Sequence, residues 1–259
     1  MIHLSASKIR AFDDCPEKFR YQYVKKAKQF MAPATRFGIL IHKIFEDFHR
    51  WTISNKDKYS EELARIKMKN IFAQRLAQYN EIYPSHIAKL GFVGVDLFNL
   101  YIQEYLDYFL ENKLYTRIFH PEKNLIVTAG DYQLRGKIDL FIEPNVVIDF
   151  KSGEHEKSGA ELLKNLQVNF YSLVTSQPIS FSYFFVKRPM EVRSFSVNKP
   201  RDIAIGEIIH SAQGMLRARQ FPKKKTFCAW CPYRFDCQPA VYRACDNTDS
   251  LDFEDPTKV

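Results

Sequence analysis

The sequence lacks several features that would assign it at once to a class of protein. It contains no run of about 18 uncharged apolar residues, which excludes a transmembrane helix. Charges interrupt the N-terminal stretch where a secretory signal needs an apolar core, so we expect no signal peptide and a cytoplasmic, reducing environment. A GxxxxGK[ST] motif is missing as well, which excludes a P-loop motor.

Charge is distributed unevenly along the 259 residues. Lys and Arg number 38 against 30 Asp and Glu, which gives a net charge of +8. Residues 246–259 hold five acids and one base, so the remaining body has 37 bases and 25 acids, a net charge of about +12. Such a body suits a nucleic-acid partner, although scattered solvated lysine explains it equally well. We expect one domain over residues 1–245, followed by a disordered acidic tail.

The hydrophobic pattern predicts an α/β fold in which helices flank a mixed sheet. The predicted helices begin after Ser5 or Ser7, with a break at Pro16, and then span 36–51, 60–83, 85–115, 159–175 and 201–219. The predicted strands span 125–127, 132–142, 146–151, 180–187 and 191–197, the last two joined by a turn at 188–190. Residues at about 52–120 form a predicted helical insertion.

Two carboxylates and a lysine share one predicted hairpin, in the stretch GKIDLFIEPNVVIDFK. A tight turn at Pro144-Asn145 would set Asp139 beside Asp149, give or take one residue of register. Asp149 and Lys151 are two residues apart, so they share a face of the strand. A buried ion pair would explain the Asp-x-Lys spacing alone. Two converging carboxylates repel each other and require a divalent cation, and hard oxygen ligands favour Mg²⁺ or Mn²⁺.

Two helical pairs add side chains that suit the same chemistry. His42 and Glu46 are four residues apart on a predicted helix, and so are Gln167 and Tyr171. An imidazole can ligate a metal, whereas an amide beside a phenol suits phosphate and base contacts. Each pair alone is a weak signal, because a helical His more often serves the core and a helical Glu is usually solvated.

In combination, these residues resemble the motifs of the PD-(D/E)XK nuclease superfamily, in its RecB-like branch. Asp139, nine intervening residues and Asp149-Phe150-Lys151 match the motif that names the superfamily, with Ile138 in place of its proline. The stretch GILIHKIFE resembles the first motif of that branch, and QVNFY resembles its Q-x-x-x-Y motif.

This resemblance implies a restriction-endonuclease-like core and a nuclease that depends on Mg²⁺ or Mn²⁺. The implied metal ligands are His42, Asp139, Asp149 and the backbone carbonyl of Phe150. Lys151 is the implied catalytic lysine, and Gln167 and Tyr171 are implied to line the DNA side of the site.

Four cysteines form a second pattern at the two ends of the chain. Cys228 and Cys231 make a C-x₂-C pair, Cys237 follows after five intervening residues, and Cys15 lies more than 200 residues earlier. Disulfides are unfavourable without secretion, whereas four thiolates suit a zinc ion on chemical grounds. Cys245 lies outside this spacing and is expected to be a spare thiol.

The cysteine spacing also resembles the iron–sulfur members of the RecB-like branch. These are AddB-type nuclease domains, CRISPR-associated adaptation exonucleases and exonuclease V. The resemblance implies a 4Fe–4S cluster held by Cys15, Cys228, Cys231 and Cys237. It also implies that an iron–sulfur segment, residues 221–245, packs on the N-terminus.

The function that both resemblances imply is hydrolysis of DNA by an exonuclease that acts on single-stranded or frayed ends, in repair, recombination or phage DNA processing. The implied partners are DNA and a helicase or an integrase, with no membrane. Two alternatives stay open, a CRISPR adaptation subunit that trims ends for an integrase and a non-catalytic module that binds DNA ends. The intact Asp139, Asp149 and Lys151 argue against the second, because a dead site usually loses the lysine.

Overall fold

The computed structural model describes residues 1–30, 33–151, 165–185, 191–224, 228 and 231–237. The chain divides into two compact units. The sheet unit comprises Met1–His3 and Pro33–Ile208, and the terminal unit comprises Leu4–Ala32 and Ile209–Val259. Within the described ranges, none of the helices is long and apolar enough to cross a membrane.

The helices of the described residues follow the predicted order. They are α1 (Ala6–Asp14), α2 (Pro16–Phe19), α3 (Pro33–Ser54), α4 (Glu61–Ile82), α5 (Pro84–Glu111), α6 (Leu166–Tyr171), α7 (Arg201–Arg217) and α8 (Arg234–Cys237). The predicted break at Pro16 is confirmed, and Ser5 caps α1 by accepting a hydrogen bond from the N–H of Lys8 at 3.2 Å.

The helix predicted over 159–175 corresponds to α6, and residues 159–164 lie outside the described residues. Its predicted end is wrong, because α6 ends at Tyr171. The N–H groups of Leu173 and Val174 bond to carbonyls three residues earlier, which tightens the chain into turns.

Six strands build one mixed sheet within the described residues. They are β1 (Ile2–Leu4), β2 (Phe119–Ala129), β3 (Tyr132–Ile142), β4 (Val146–Lys151), β5 (Ile179–Phe185) and β6 (Glu191–Val197). The order is β1-β3-β4-β5-β6, and β2 also pairs with β3. Strands β4 and β5 are parallel, whereas the pairs β2–β3, β3–β4 and β5–β6 are antiparallel.

The strand predictions are confirmed in order, and β3, β4 and β6 have the predicted bounds. The prediction for β2 is wrong in length, because the strand has 11 residues in place of three. The predicted turn at 188–190 lies outside the described residues. The longer β2 matters for function, since its additional residues include Glu122, which lies opposite Asp139 of β3.

Apolar side chains hold helices against the sheet through two clusters. One cluster joins residues of α3, α4 and α5 to Phe150 of β4 and Phe184 of β5. The other joins Val168 and Tyr171 of α6 to residues of β3, β4 and β5. Each buried aromatic side chain contributes on the order of 1.5–3 kcal/mol by leaving water. Helices α3 and α6, which carry the predicted site residues, are therefore anchored to β4 or its neighbours.

The terminal unit brings the two ends of the chain together. Tyr21 stacks on the buried Tyr233 with ring centroids 5.6 Å apart, and its hydroxyl donates to the carbonyl of Asp236 at 3.3 Å. The N–H of Phe30 donates to the carbonyl of Pro232 at 2.9 Å. The described part of the cysteine-rich end therefore packs on the N-terminal segment, as the sequence predicts.

Candidate active site

Strand register places three carboxylates in one row across the sheet. In the β3–β4 hairpin Leu140 pairs with Ile148, so the same register sets Asp139 opposite Asp149. In the β2–β3 hairpin the pairs on either side are Pro121–Leu140 and Lys123–Ile138, so Glu122 lies opposite Asp139. We call Glu122, Asp139 and Asp149 the carboxylate row. The predicted neighbourhood of the two aspartates agrees with this register.

His42 extends from α3 to the middle of the carboxylate row. Its Nδ1 lies 3.5 Å from Oδ1 of Asp139. One ligand atom each from His42, Glu122 and Asp139 lies within 4.8 Å of the other two. Burial acts to lower the pKa of His42, but the hydrogen bond to Asp139 and the charges of the three acids prevail and raise it. A divalent cation bound beside this imidazole would reduce the repulsion among the three carboxylates.

The backbone of β4 fixes the orientation of Asp139. The N–H of Phe150 donates to Oδ2 of Asp139 at 2.8 Å. This leaves Oδ1 as the oxygen that faces His42. Since one oxygen is held by the sheet and the other points to the imidazole, Asp139 is positioned before any ligand arrives.

Asp149 belongs to a closed ring of four side chains. Its Oδ1 accepts a hydrogen bond from the Tyr171 hydroxyl at 2.5 Å, and its Oδ2 forms an ion pair with Lys151. The Lys151 ammonium donates to Oε1 of Gln167 at 3.3 Å, and Nε2 of Gln167 donates to the Tyr171 hydroxyl at 3.2 Å. The structure thus brings together four of the residues that the sequence singles out.

Burial governs the charge states in this ring. Asp149 is 2% exposed, and burial together with the nearby Asp139 raises the pKa of its carboxyl, against the opposing effect of Lys151. Burial and the negative charge of Asp149 raise the pKa of Tyr171 well above its ordinary value. Tyr171 therefore stays protonated and keeps its O–H directed at Asp149.

Glu46, which shares a helical face with His42, is engaged elsewhere. Its carboxylate accepts from Lys43 at 2.9 Å and from Arg50 at 2.8 Å. These ion pairs lie along α3 itself, and Glu46 is not in the group of possible ligands found in the described residues.

Glu122 is the site residue that the motifs do not reveal. Its φ of +52° is uncommon for a residue with a side chain, and local strain of this kind is concentrated at functional sites. Its side chain is only 14% exposed and forms an ion pair with Lys137. The signal that would have found it is the two-residue turn at Gly130-Asp131, because counting back from Ala129–Tyr132 pairs Glu122 with Asp139.

Removing the Tyr171 hydroxyl should destabilise the protein. In Tyr171→Phe the buried Oδ1 of Asp149 loses its donor, so we expect the free energy of unfolding to fall by about 1–3 kcal/mol. Urea denaturation followed by far-UV circular dichroism measures it.

Tyr59→Phe is the matched control for this prediction. The Tyr59 hydroxyl is buried and has no hydrogen-bond partner among the described residues. Its removal breaks no described hydrogen bond, so the free energy of unfolding should not fall. Equal stability of Tyr171→Phe and the unaltered protein would show that the Asp149 contact contributes nothing.

The four cysteines of the predicted cluster all belong to the terminal unit. The N–H of Lys224 donates to Sγ of Cys15 at 3.4 Å, and the thiol of Cys228 donates to the carbonyl of Lys224 at 3.7 Å. Burial raises the pKa of the thiols of Cys231 and Cys237. In the part of the chain that the structure describes, no three of these sulfurs lie within 4.8 Å of one another.

Comparison with known proteins finds similar solved structures of low sequence identity. A crystal structure of SSO0001 is 13% identical, with a TM-score of 0.42, over 92% of this chain and 86% of that chain. A crystal structure of a candidate exonuclease from Eubacterium rectale is 12% identical, with a TM-score of 0.46, over 96% of this chain and 89% of that chain. A search of curated proteins gives no match.

A family model decides the membership of the chain. The model of the PD-(D/E)XK nuclease superfamily matches residues 3–238, a span that includes the carboxylate row, His42, Lys151 and all four cysteines of the predicted cluster. The chain belongs to the PD-(D/E)XK nuclease superfamily.

Proposed function

We propose that this protein is a divalent-cation-dependent deoxyribonuclease that degrades DNA from single-stranded or frayed ends. The observation that carries the proposal is the convergence of the carboxylate row with His42 and Lys151 in the sheet unit. Family membership supports a nuclease in general. The choice of DNA and of free ends rests on the sequence resemblance to RecB-like exonucleases.

The donor set fits Mg²⁺ or Mn²⁺. Carboxylate oxygens with one imidazole nitrogen are ligands that these cations accept, and the negative charges of the row would otherwise repel one another. We propose His42, Glu122, Asp139 and Asp149 as the ligands, with the carbonyl of Phe150 as a further one. When bound, the cation would stabilise charge on a phosphoryl oxygen and lower the pKa of a coordinated water.

Lys151 is the proposed catalytic residue. Its ammonium has three N–H donors, and the described contacts engage it with Asp149, with Gln167 and with the ring of Tyr183, whose centroid is 5.4 Å away. We expect this ammonium to meet a phosphate oxygen of the substrate. Gln167 and Tyr171 are proposed to position Lys151 and Asp149, since they close the ring that joins these two side chains.

An iron–sulfur cluster is the second cofactor that we propose. The spacing of Cys15, Cys228, Cys231 and Cys237 supports it, as does the location of all four in the terminal unit, where Lys224 contacts two of them. The cluster would act as a structural link between the chain ends, and its binding free energy would add to folding. Anaerobic purification with iron analysis and a visible spectrum tests this, and a colourless, zinc-loaded protein would contradict it.

A cleavage assay on defined DNA ends tests the nuclease itself. End-labelled single-stranded, double-stranded and capped-end DNA are incubated with Mg²⁺, Mn²⁺ or EDTA. We expect nucleotides to be released from uncapped single-stranded ends with either cation and no release in EDTA. The basic body would follow the DNA backbone, so binding should weaken as salt rises. Cleavage that persists in EDTA, or none with any substrate, would overturn the proposal.

A further inference from the structure

A second lysine lies at the opposite end of the carboxylate row from Lys151. Lys137 is two residues before Asp139 on β3, so both side chains leave the same face of the strand. Its ammonium forms an ion pair with Glu122, and its side chain is 58% exposed. Each terminal acid of the row thus has its own lysine, Glu122 with Lys137 and Asp149 with Lys151.

The two lysines differ in how firmly they are held. Lys151 is 30% exposed and also bonds to Gln167, whereas Lys137 reaches further into solvent from its ion pair with Glu122. The negative charges of Glu46 and Asp139 act on Lys137 as well. The ammonium of Lys137 donates to the carboxylate of Glu122, and a lysine ammonium is ordinarily charged at neutral pH. An exposed cation at the end of the row suits a DNA phosphate next to the one being cleaved.

Glu122 has two competing partners. Its carboxylate pairs with Lys137, and it also lies in the group with His42 and Asp139 that can ligate a cation. A carboxylate that shares its charge with a divalent cation attracts an ammonium less strongly. Cation binding should therefore weaken the ion pair between Glu122 and Lys137.

We propose that Lys137 binds a backbone phosphate of the DNA, and that Glu122 restrains this lysine until a divalent cation occupies the site. The inference rests on the proposed nuclease function and adds a substrate-binding residue to it. Without a bound cation, Glu122 keeps Lys137 from contacting a phosphate. With a cation bound, Lys137 is available for that contact. Metal binding and DNA binding are thereby coupled through one side chain.

The experiment measures DNA binding without relying on cleavage. Fluorescence anisotropy gives the dissociation constant of a single-stranded oligonucleotide in Ca²⁺ or in EDTA, across a range of salt concentrations. In Ca²⁺ we expect Lys137→Met to weaken binding roughly fivefold, near the upper range for an exposed charged contact. The slope of log affinity against log salt should become shallower by about 0.7, the loss of one phosphate contact. In EDTA the effect of Lys137→Met should be less than about twofold, because Glu122 already withholds the ammonium.

Glu122→Gln separates the restraint from a general effect of the cation. In that background Lys137→Met should weaken binding by the same factor in Ca²⁺ and in EDTA, since the restraining charge is gone. Lys123→Met is the matched control, because this lysine is on the neighbouring strand with its ammonium 4.4 Å from the ring centroid of Phe141. It should leave the cation dependence of binding unchanged.

Two results would overturn the inference. An unchanged salt slope in Lys137→Met would mean that Lys137 contacts no phosphate. An equal effect of Lys137→Met in Ca²⁺ and EDTA, with Glu122 intact, would mean that Glu122 restrains nothing. Thermal unfolding of each variant confirms that it is folded. Since none of these readouts needs cleavage, a protein that binds in this pattern but cuts no DNA would refute the proposed activity and leave the inference standing.

Discussion

Replacing Lys151 with alanine should slow DNA cleavage by at least ~10²-fold, the typical scale for losing one charged transition-state contact, while DNA binding is retained. The reason is positional. The ammonium is held beside Asp149 and Gln167, at the end of the carboxylate row. In the proposed reaction, negative charge would develop on the phosphate there. Single-turnover cleavage with Mn²⁺ measures the rate, and anisotropy in Ca²⁺ measures binding.

Two further variants make this result interpretable. Lys151→Met keeps the aliphatic stem and removes only the charge, so it should be as slow as Lys151→Ala if the charge is what matters. Lys69→Ala, at an exposed position of α4, should cleave at the rate of the unaltered protein. A Lys151→Ala protein that cuts DNA at the normal rate would remove the lysine from the proposed chemistry.

Much of this site follows from the sequence because local signals agree there. The strands 132–142 and 146–151 have the predicted bounds, since β-branched and aromatic residues end at a Pro-Asn turn. A short turn fixes register, and register fixes which side chains face each other. Asp139 and Asp149 therefore come together without any information beyond the hairpin.

Helical spacing carries a different kind of information. It places Gln167 and Tyr171 on one face of α6, as the sequence predicts. It also places His42 and Glu46 together, yet the structure directs His42 to Asp139 and leaves Glu46 to Lys43 and Arg50. Spacing within a helix cannot show which of two neighbouring side chains meets the sheet, because that depends on how the helix packs.

Glu122 shows where reading by pattern fails. The segment 119–124 contains Pro121 and alternates poorly, so it does not look like a strand, and β2 is predicted only from residue 125. Pairing with β3 makes residues 119–124 part of the strand although their local sequence does not favour one. Within this paired segment Glu122 has a left-handed backbone conformation. The third acid of the row is thus visible from pairing rules but not from composition.

Replacing Cys231 with alanine should remove the proposed iron–sulfur cluster and much of the stability of the terminal unit with it. A link between Cys15 and residues 228–237 closes a loop of more than 200 residues, and the entropy that such a link removes from the unfolded chain corresponds to roughly 5 kcal/mol of stability. For a protein of this length we expect a fall in Tm of roughly 10–20 °C, together with lower solubility and weaker cleavage. Thermal unfolding followed by circular dichroism, iron content and the cleavage rate are measured on the same anaerobic preparation.

Cys245→Ala is the matched control, because this cysteine lies outside the predicted set and outside the described residues. It should keep its iron, its Tm and its cleavage rate. The comparison separates a structural link from a reactive thiol, since a generally harmful loss of cysteine would affect both variants. If Cys231→Ala loses iron but keeps its Tm, the cluster is not a structural link, and the contacts of Tyr21 with Tyr233 and Asp236 are sufficient to join the chain ends.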